Sequence, residues 1–274
     1  MSSPDESGSR DVHDVHDADD LYALHRCPGN VLVVIPTYNE SANLQAVTGR
    51  VRAALPHADV LVVDDASPDG TGELAAAMAA DDDQMYVLHR HGRRGLGAAY
   101  IAGFEWALDA QYEVVVEMDA DGSHQPEELP LLLEALTGCD LVMGSRWVPG
   151  GRVLNWPRGR MLLSRGGNTY TRFALGIPLR DATGGLRAYR SHTLKEIGLE
   201  EVESQGYCFQ VDLAVRALRA GLRVVEVPIT FVERTKGASK MSRGIVAEAL
   251  WRVTVWGIRY RYAALRPRRA IERR

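Results

Sequence analysis

The sequence predicts an α/β fold built on a mostly parallel central sheet. Three observations carry this. Five short apolar runs have the length of strands and are bounded by turn residues. Stretches of helical character lie between them. Strands buried on both faces read as continuous apolar runs, which is the mark of a parallel sheet covered by helices. Finally, acidic residues stand just past several runs, at the strand ends where open α/β sheets collect ligands.

The elements follow in order. Val31–Pro36 is the first run and Ala42–Leu55 the first helix. Val60–Val63 is a second buried strand, and the Ala-rich segment Thr71–Ala80 a helix. Met85–His89 reads as a strand, Leu96–Leu108 as a helix and Glu113–Met118 as a fourth strand. Pro126–Leu136 opens with Pro and two Glu, as a helix N-terminus favours, and Asp140–Gly144 is the fifth strand. Residues 147–159, rich in Gly, Pro and Trp, predict an irregular loop. Arg160–Leu175 predicts an amphipathic helix, Asp181–Tyr189 a turn and strand, and Gln210–Ala220 a helix. Val224–Phe231 reads as a strand placed near an edge by Pro228. A polar loop over 232–242 and a last helix over 244–263 complete the chain, which shows no internal repeat.

Charge is unevenly spread along the 274 residues, whose formal net charge is −4. Residues 1–28 hold seven acids against Arg10 and Arg26, with no periodicity, and predict a disordered tail. Residues 251–274 hold eight arginines against Glu272, together with Trp251, Trp256, Tyr260 and Tyr262, and suit a membrane surface. The overall charge speaks against nucleic acid as a partner. Cys27, Cys139 and Cys208 are few, scattered and odd in number, so neither a disulfide framework nor a zinc site is expected. There is no secretory leader pattern, and no uncharged run nears the roughly 20 residues that span a bilayer. A soluble or peripheral protein is the expectation.

The strand ends gather Glu40, Asp64, Asp65, Asp119, Asp121 and Arg146 on one rim. So much acid in one cleft calls for a cation or hydrogen-bond donors to offset it. Asp119 and Asp121, spaced by two before the turn at Gly122, can approach one ion. Hard oxygen ligands suit Mg²⁺ or Mn²⁺, which bridge phosphate oxygens. An Asp-x-Asp alone is common in surface turns; its place after a buried strand points to metal and phosphate. Asp65 can accept hydrogen bonds from a base or ribose, while Asp69 and Ser67 are the natural caps for the helix at Thr71. Gly95-x-Gly97 does not complete a dinucleotide fingerprint, because Tyr100 stands at the third glycine.

These residues resemble a known family. Val-Ile-Pro-Thr-Tyr-Asn-Glu (34–40), Asp-Asp-Ala-Ser-Pro-Asp-Gly-Thr (64–71), Met-Asp-Ala-Asp-Gly-Ser-His (118–124) and Gly-Ser-Arg-Trp (144–147) are similar to motifs of the polyprenol (dolichol) phosphate mannose synthases of glycosyltransferase family 2. Ser-Arg-Gly-Gly-Asn (164–168), Gly-Tyr-Cys-Phe-Gln (206–210) and Arg234 with Gly237-Ala-Ser-Lys240 extend the likeness over about 31–242. The resemblance implies a GT-A nucleotide-sugar-binding domain over 29–242, followed by a basic amphipathic segment over 243–274. It implies that Pro36, Tyr38, Glu40, Val63 and Asp65 hold the nucleoside. Asp119, Ala120 and Asp121 would hold the sugar diphosphate, with Asp119 and Asp121 as ligands of Mg²⁺ or Mn²⁺. Arg146, Arg234 and Lys240 would lie by the phosphates, the last two on a mobile loop. Arg146, Arg160 and Ser164 would grip the acceptor phosphate, and Asp121, Arg146 and Arg160 would carry catalysis. Some members place a Gln where Ser123 stands, which leaves the third metal ligand open.

The activity implied is inverting transfer of mannose from GDP-mannose to polyprenyl phosphate. The expected site is the cytoplasmic face of the membrane, reached through amphipathic helices or a separate membrane-embedded partner. Trp147, Trp156, Met161, Leu162 and Leu163, interleaved with arginines, suit such an interface. Three rivals stay in view. One is the same chemistry with glucose or aminoarabinose. Another is a non-catalytic nucleotide-sugar-binding module, whose mark would be loss of a metal carboxylate or of Arg146. The third, a nicotinamide oxidoreductase, is disfavoured by the incomplete glycine pattern.

Overall fold

The computed structural model describes residues 30–92, 95–202, 207–234 and 243–265. The expected disordered tail over 1–28 lies outside the described residues. Strands β1 (Val31–Thr37), β2 (Asp59–Asp64), β3 (Met85–His89), β4 (Val114–Glu117), β5 (Leu141–Ser145), β7 (Arg187–Arg190) and β8 (Val224–Pro228) form one sheet in the order β3-β2-β1-β4-β7-β5-β8. β1 lies parallel to β2 and β4, and every residue in it is buried. Leu32 and Val34 join the core on one face, while Val33 and Ile35 join the core on the other. Two buried faces are why the run is apolar throughout rather than alternating.

Helices α1 (Leu44–Ala54), α2 (Thr71–Ala80), α3 (Leu96–Asp109) and α4 (Leu129–Leu136) link the strands, close to the bounds expected. A 3₁₀ turn, Pro126–Glu128, precedes α4. α3 comes close to the sheet at Gly103, where a Cβ would lie 2.4 Å from Val34 Cγ1.

β7, in the region expected to form a turn and strand, runs antiparallel between β4 and β5, placing Arg187 opposite Glu117. The second half departs from the sequence reading in two places. The segment expected to be an irregular loop contains β6 (Arg152–Leu154). The strand expected over Val224–Phe231 breaks at Ile229 into β8, on the sheet edge, and β9 (Thr230–Val232), which pairs with β6 in a separate small sheet. Ile229 holds this corner: its N–H donates to Ser145 O at 3.1 Å and its carbonyl accepts from Arg152 N at 3.0 Å. The break carries residues 230–234 across the strand ends, where Val232 N–H donates to Ser123 O at 3.0 Å.

Three further helices, α5 (Arg158–Leu175), α6 (Ser191–Glu196) and α7 (Tyr207–Arg219), precede the last, α8 (Arg243–Leu265). α8 packs on α5 and α7 rather than on the sheet. Val253 enters the core, and Gly257 lets the helices touch: a Cβ there would lie 2.4 Å from Ala174 O. On its outer side α8 exposes Trp251, Ile258 and Tyr262. Among the described residues no helix is long and apolar enough to cross a membrane.

Candidate active site

The strand ends open onto a cavity of about 410 Å³. At one end lie Pro36, Tyr38, Glu40 and Asp65, beyond β1 and β2. The backbone turns sharply there: Asn39 and Ala66 both adopt positive φ, at 61° and 56°. Non-glycine residues held in this region cluster at functional sites. Asp65 is nearly wholly buried; it pairs with Arg90 Nη1 at 2.7 Å and accepts from Gly95 N–H at 2.8 Å. Glu40 accepts from Asn43 Nδ2 at 2.8 Å. Two expectations change here. Asp64 does not line the cavity; its carboxylate accepts from Thr37 Oγ1 at 3.1 Å and Ser67 N–H at 3.1 Å. Val63 is wholly buried in the core and does not line the cavity either. As expected, Asp69 rather than Asp65 takes the Thr71 N–H at the start of α2.

Asp119, Ala120 and Asp121 line the middle of the cavity. Asp121 Oδ1 accepts from Ser123 N–H at 3.0 Å, across the turn that Gly122 makes at φ 74°. Asp121 Oδ2 lies 3.5 Å from Arg234 Nη2. Asp119 is half-buried; its Oδ1 accepts from Tyr100 at 3.0 Å and its backbone N–H donates to His124 Nδ1 at 3.3 Å. Burial chiefly raises the Asp119 pKa; the Asp121 charge raises it too, against the opposing pull of His124. Among the described residues no group of three or more His, Cys, Asp or Glu could hold a metal. The donor set nonetheless fits a hard divalent ion completed by diphosphate and water oxygens: two hard carboxylates on one cavity wall repel one another, and a cation between them would offset that repulsion.

Arginines mark the far end. Arg146 is buried and tied to Asp181: Nε donates to Oδ2 at 2.7 Å, Nη2 to Oδ1 at 2.7 Å and the backbone N–H to Oδ2 at 2.9 Å. Burial alone would raise the Asp181 carboxyl; the Arg146 guanidinium outweighs it and holds the group below the ordinary range. Thr183 and Asn168, from the following turn and from α5, complete the cluster. Arg160 stacks on Trp156, its Cζ 4.1 Å from the ring centroid, and pairs with Glu233. Ser164 lines the cavity one turn further along α5. Arg146, Arg160, Ser164 and Arg234 are thus brought together; Lys240 lies outside the described residues, as does the rest of 235–242. Trp147 and Trp156, expected at a membrane interface, are half-buried. Trp156 faces the cavity, and Trp147 lies under Arg165, 5.2 Å from its ring centroid.

Several residues of the site carry no local signal. Asp181 is one, Glu233 another. Beneath Asp119 lies a third feature, the wholly buried Glu117, which accepts from Tyr189 Oη at 2.9 Å and from Gln210 Nε2 and faces Arg187 across the strands. Burial raises its pKa to about 7, with Arg187 opposing. From the arginines the cavity continues between α5 and α8, past Leu163, Gly167, Thr171, Leu250 and Val253. The outer surface of this helix pair exposes Leu162, Phe173, Trp251, Ile258 and Tyr262.

Comparison with known proteins adds to this geometry. Residues 32–198 match the model of glycosyl transferase family 2. The chain is 58% identical over 238 residues to the undecaprenyl-phosphate mannosyltransferase of Micrococcus luteus, covering 87% of this chain and 98% of that one. It is 57% identical over 232 residues to the polyprenol monophosphomannose synthase of Mycolicibacterium smegmatis, covering 84% and 88%. Among solved structures, glucosyl-3-phosphoglycerate synthase from Mycobacterium tuberculosis, in complex with Mn²⁺, UDP-glucose and phosphoglyceric acid, aligns with a TM-score of 0.62. The identity there is 20%, over 86% of this chain and 81% of that one, so the likeness concerns the GT-A fold.

Proposed function

Because the chain belongs to glycosyl transferase family 2, we propose that it transfers mannose from GDP-mannose to polyprenyl phosphate with inversion at the anomeric carbon. The observation that carries this reading is one cavity that joins a carboxylate-rich end, an arginine pair and an apolar passage between two helices. Those three parts match the three parts of the reaction: nucleotide sugar, phosphate and lipid.

In this reading Pro36, Tyr38, Glu40 and Asp65 receive the nucleoside, and Val63 supports them from the core of β2. Asp119 and Asp121 would hold Mg²⁺ or Mn²⁺, which when bound offsets the charge that grows on the departing diphosphate. Arg234, beside Asp121, lies where it can turn to the same diphosphate, and Lys240 would join it. A phosphate monoester has a second pKa of about 6, so the acceptor is already largely an anionic nucleophile at neutral pH. A strong general base is therefore not required. What the chain must do is hold two anions in line, which is the work of Arg146 and Arg160 with Ser164. Arg146 is rigid, fixed by Asp181. Arg160 is paired with Glu233, so an arriving phosphate exchanges with that carboxylate.

The lipid would reach the arginines between α5 and α8. Exposed apolar side chains on both helices, with Arg252, Arg259 and Arg261 among them, support a peripheral seat on an anionic bilayer, which this reading places at the cytoplasmic face. A membrane-embedded partner would strengthen that seat. The test is direct: incubate the protein with labelled GDP-mannose, polyprenyl phosphate and Mn²⁺, and extract into organic solvent. Label in the lipid phase, dependent on all three, supports the reading. Its absence, or equal transfer from UDP-glucose, contradicts it.

A further inference from the structure

Tyr100 sits on α3, wholly buried, with its hydroxyl 3.0 Å from Asp119 Oδ1. We propose that Tyr100 is the positioning residue that aims Asp119 at its cation, holding one carboxylate oxygen and leaving the other for the ion. The inference rests on the reading of Asp119 and Asp121 as ion ligands. Its ring has little freedom: it stacks on Phe104 at 5.8 Å and on Phe209 at 6.1 Å between centroids. A ring so wedged sets the direction of its O–H, and so the rotation of the carboxylate that accepts it. Asp119 Oδ2 is the oxygen that Tyr100 leaves over, on a residue that lines the cavity.

The donor type matters as much as its place. A phenol is neutral, so it orients Asp119 without cancelling the charge the cation needs. An arginine or lysine there would pair with Asp119 and pre-empt the ion. Partners of this kind, behind the ligands themselves, fix ligand orientation, and losing one commonly costs about 10- to 100-fold in metal affinity.

The test uses the full chain and Mn²⁺ itself. Free Mn²⁺ is measured by electron paramagnetic resonance during titration in saturating GDP, for wild type, Tyr100→Phe and Asp121→Asn. Tyr100→Phe keeps the stacked ring and should weaken Mn²⁺ by about tenfold or more. In turnover its KM for Mn²⁺ should rise while kcat at saturating Mn²⁺ returns to within a few-fold of wild type, a split that a merely structural role would not produce. If folded Tyr100→Phe binds Mn²⁺ as wild type does while Asp121→Asn does not, Tyr100 has no such role and the ion reading stands. If Asp121→Asn also binds like wild type, the ion reading itself fails and takes this inference with it. A second measurement does not depend on the variant folding. With 3-fluorotyrosine placed at position 100, its ¹⁹F resonance should shift when Mg²⁺ and GDP are added, and should stay unmoved in the Asp121→Asn background. An unmoved resonance in the otherwise unaltered chain overturns the proposal.

Discussion

Replacing Asp181 by Asn changes one atom and leaves the shape of the site intact. The consequence is electrostatic. Asp181 is wholly inaccessible and accepts three hydrogen bonds from Arg146 at 2.7 to 2.9 Å and one from Asn168 at 3.2 Å. Asparagine presents an N–H₂ where one of those oxygens stood, so donor faces donor and the buried Arg146 charge loses its counter-charge. Breaking a buried pair from one side costs about 3–5 kcal/mol, against a total stability of about 5–15 kcal/mol for a typical domain. Urea unfolding should show a lower midpoint with an unchanged slope. The pH dependence has a definite sign. Arg146 lowers the folded-state pKa of Asp181, so its stabilisation is present above the unfolded value, about 3.9, and is lost as pH falls through the lower folded value. The gap between wild type and Asp181→Asn should therefore be full near pH 6 and shrink in acid. A loss below 1 kcal/mol at pH 6, or a gap that grows on acidification, would mean that Asp181 does not stabilise the fold through the Arg146 charge.

Other substitutions probe the remaining parts. Asp121→Asn should lower turnover by roughly a hundredfold or more while leaving the unfolding midpoint near wild type, since the side chain sits at the cavity rather than in the core; near-normal kcat at saturating Mn²⁺ would speak against it. Trp251→Ser with Ile258→Ser removes two exposed apolar groups from α8 and should reduce pelleting with anionic vesicles by about tenfold or more, each buried side chain being worth about 1.5–3 kcal/mol. Unchanged pelleting would place the membrane contact elsewhere. These surface changes are preferable to deleting residues 251–274, because Val253 and Gly257 pack inward and truncation would uncover α5. Gly257→Leu should force α8 from α5 and cost about 1–3 kcal/mol or more of stability; full stability would mean the helix contact is looser than described.

Strand-end chemistry was legible in the sequence because it is local. A buried run followed within a few residues by Asp119-Ala120-Asp121 or Pro36-Thr37-Tyr38 names both the element and the rim it reaches. What stayed hidden depends on partners far apart in the chain. Arg187 carries no local signal; its place is set by Glu117, opposite it in an antiparallel register. Tyr100 reads as a missing glycine, although its hydroxyl reaches Asp119. Asp181 lies 35 positions from Arg146, and nothing in its own neighbourhood distinguishes it from a turn aspartate. The tryptophans show a different limit: Trp147 and Trp156 among arginines suggest a bilayer interface, and the structure adds that both are half-buried and stacked on Arg165 and Arg160. A composition shared by two environments could not separate them.

The central claim is that the chain joins mannose to a lipid phosphate through one continuous site. The measurement that bears on it most directly is transfer of labelled mannose from GDP-mannose into organic-soluble product, in wild type and in Arg160→Ala, with long-chain polyprenyl phosphate and Mn²⁺. The account predicts a lipid-linked, β-configured mannosyl phosphate from wild type and a loss of roughly a hundredfold with Arg160→Ala, while GDP still binds both proteins equally. No lipid-soluble product from the folded wild-type protein, or an α-configured one, would contradict it.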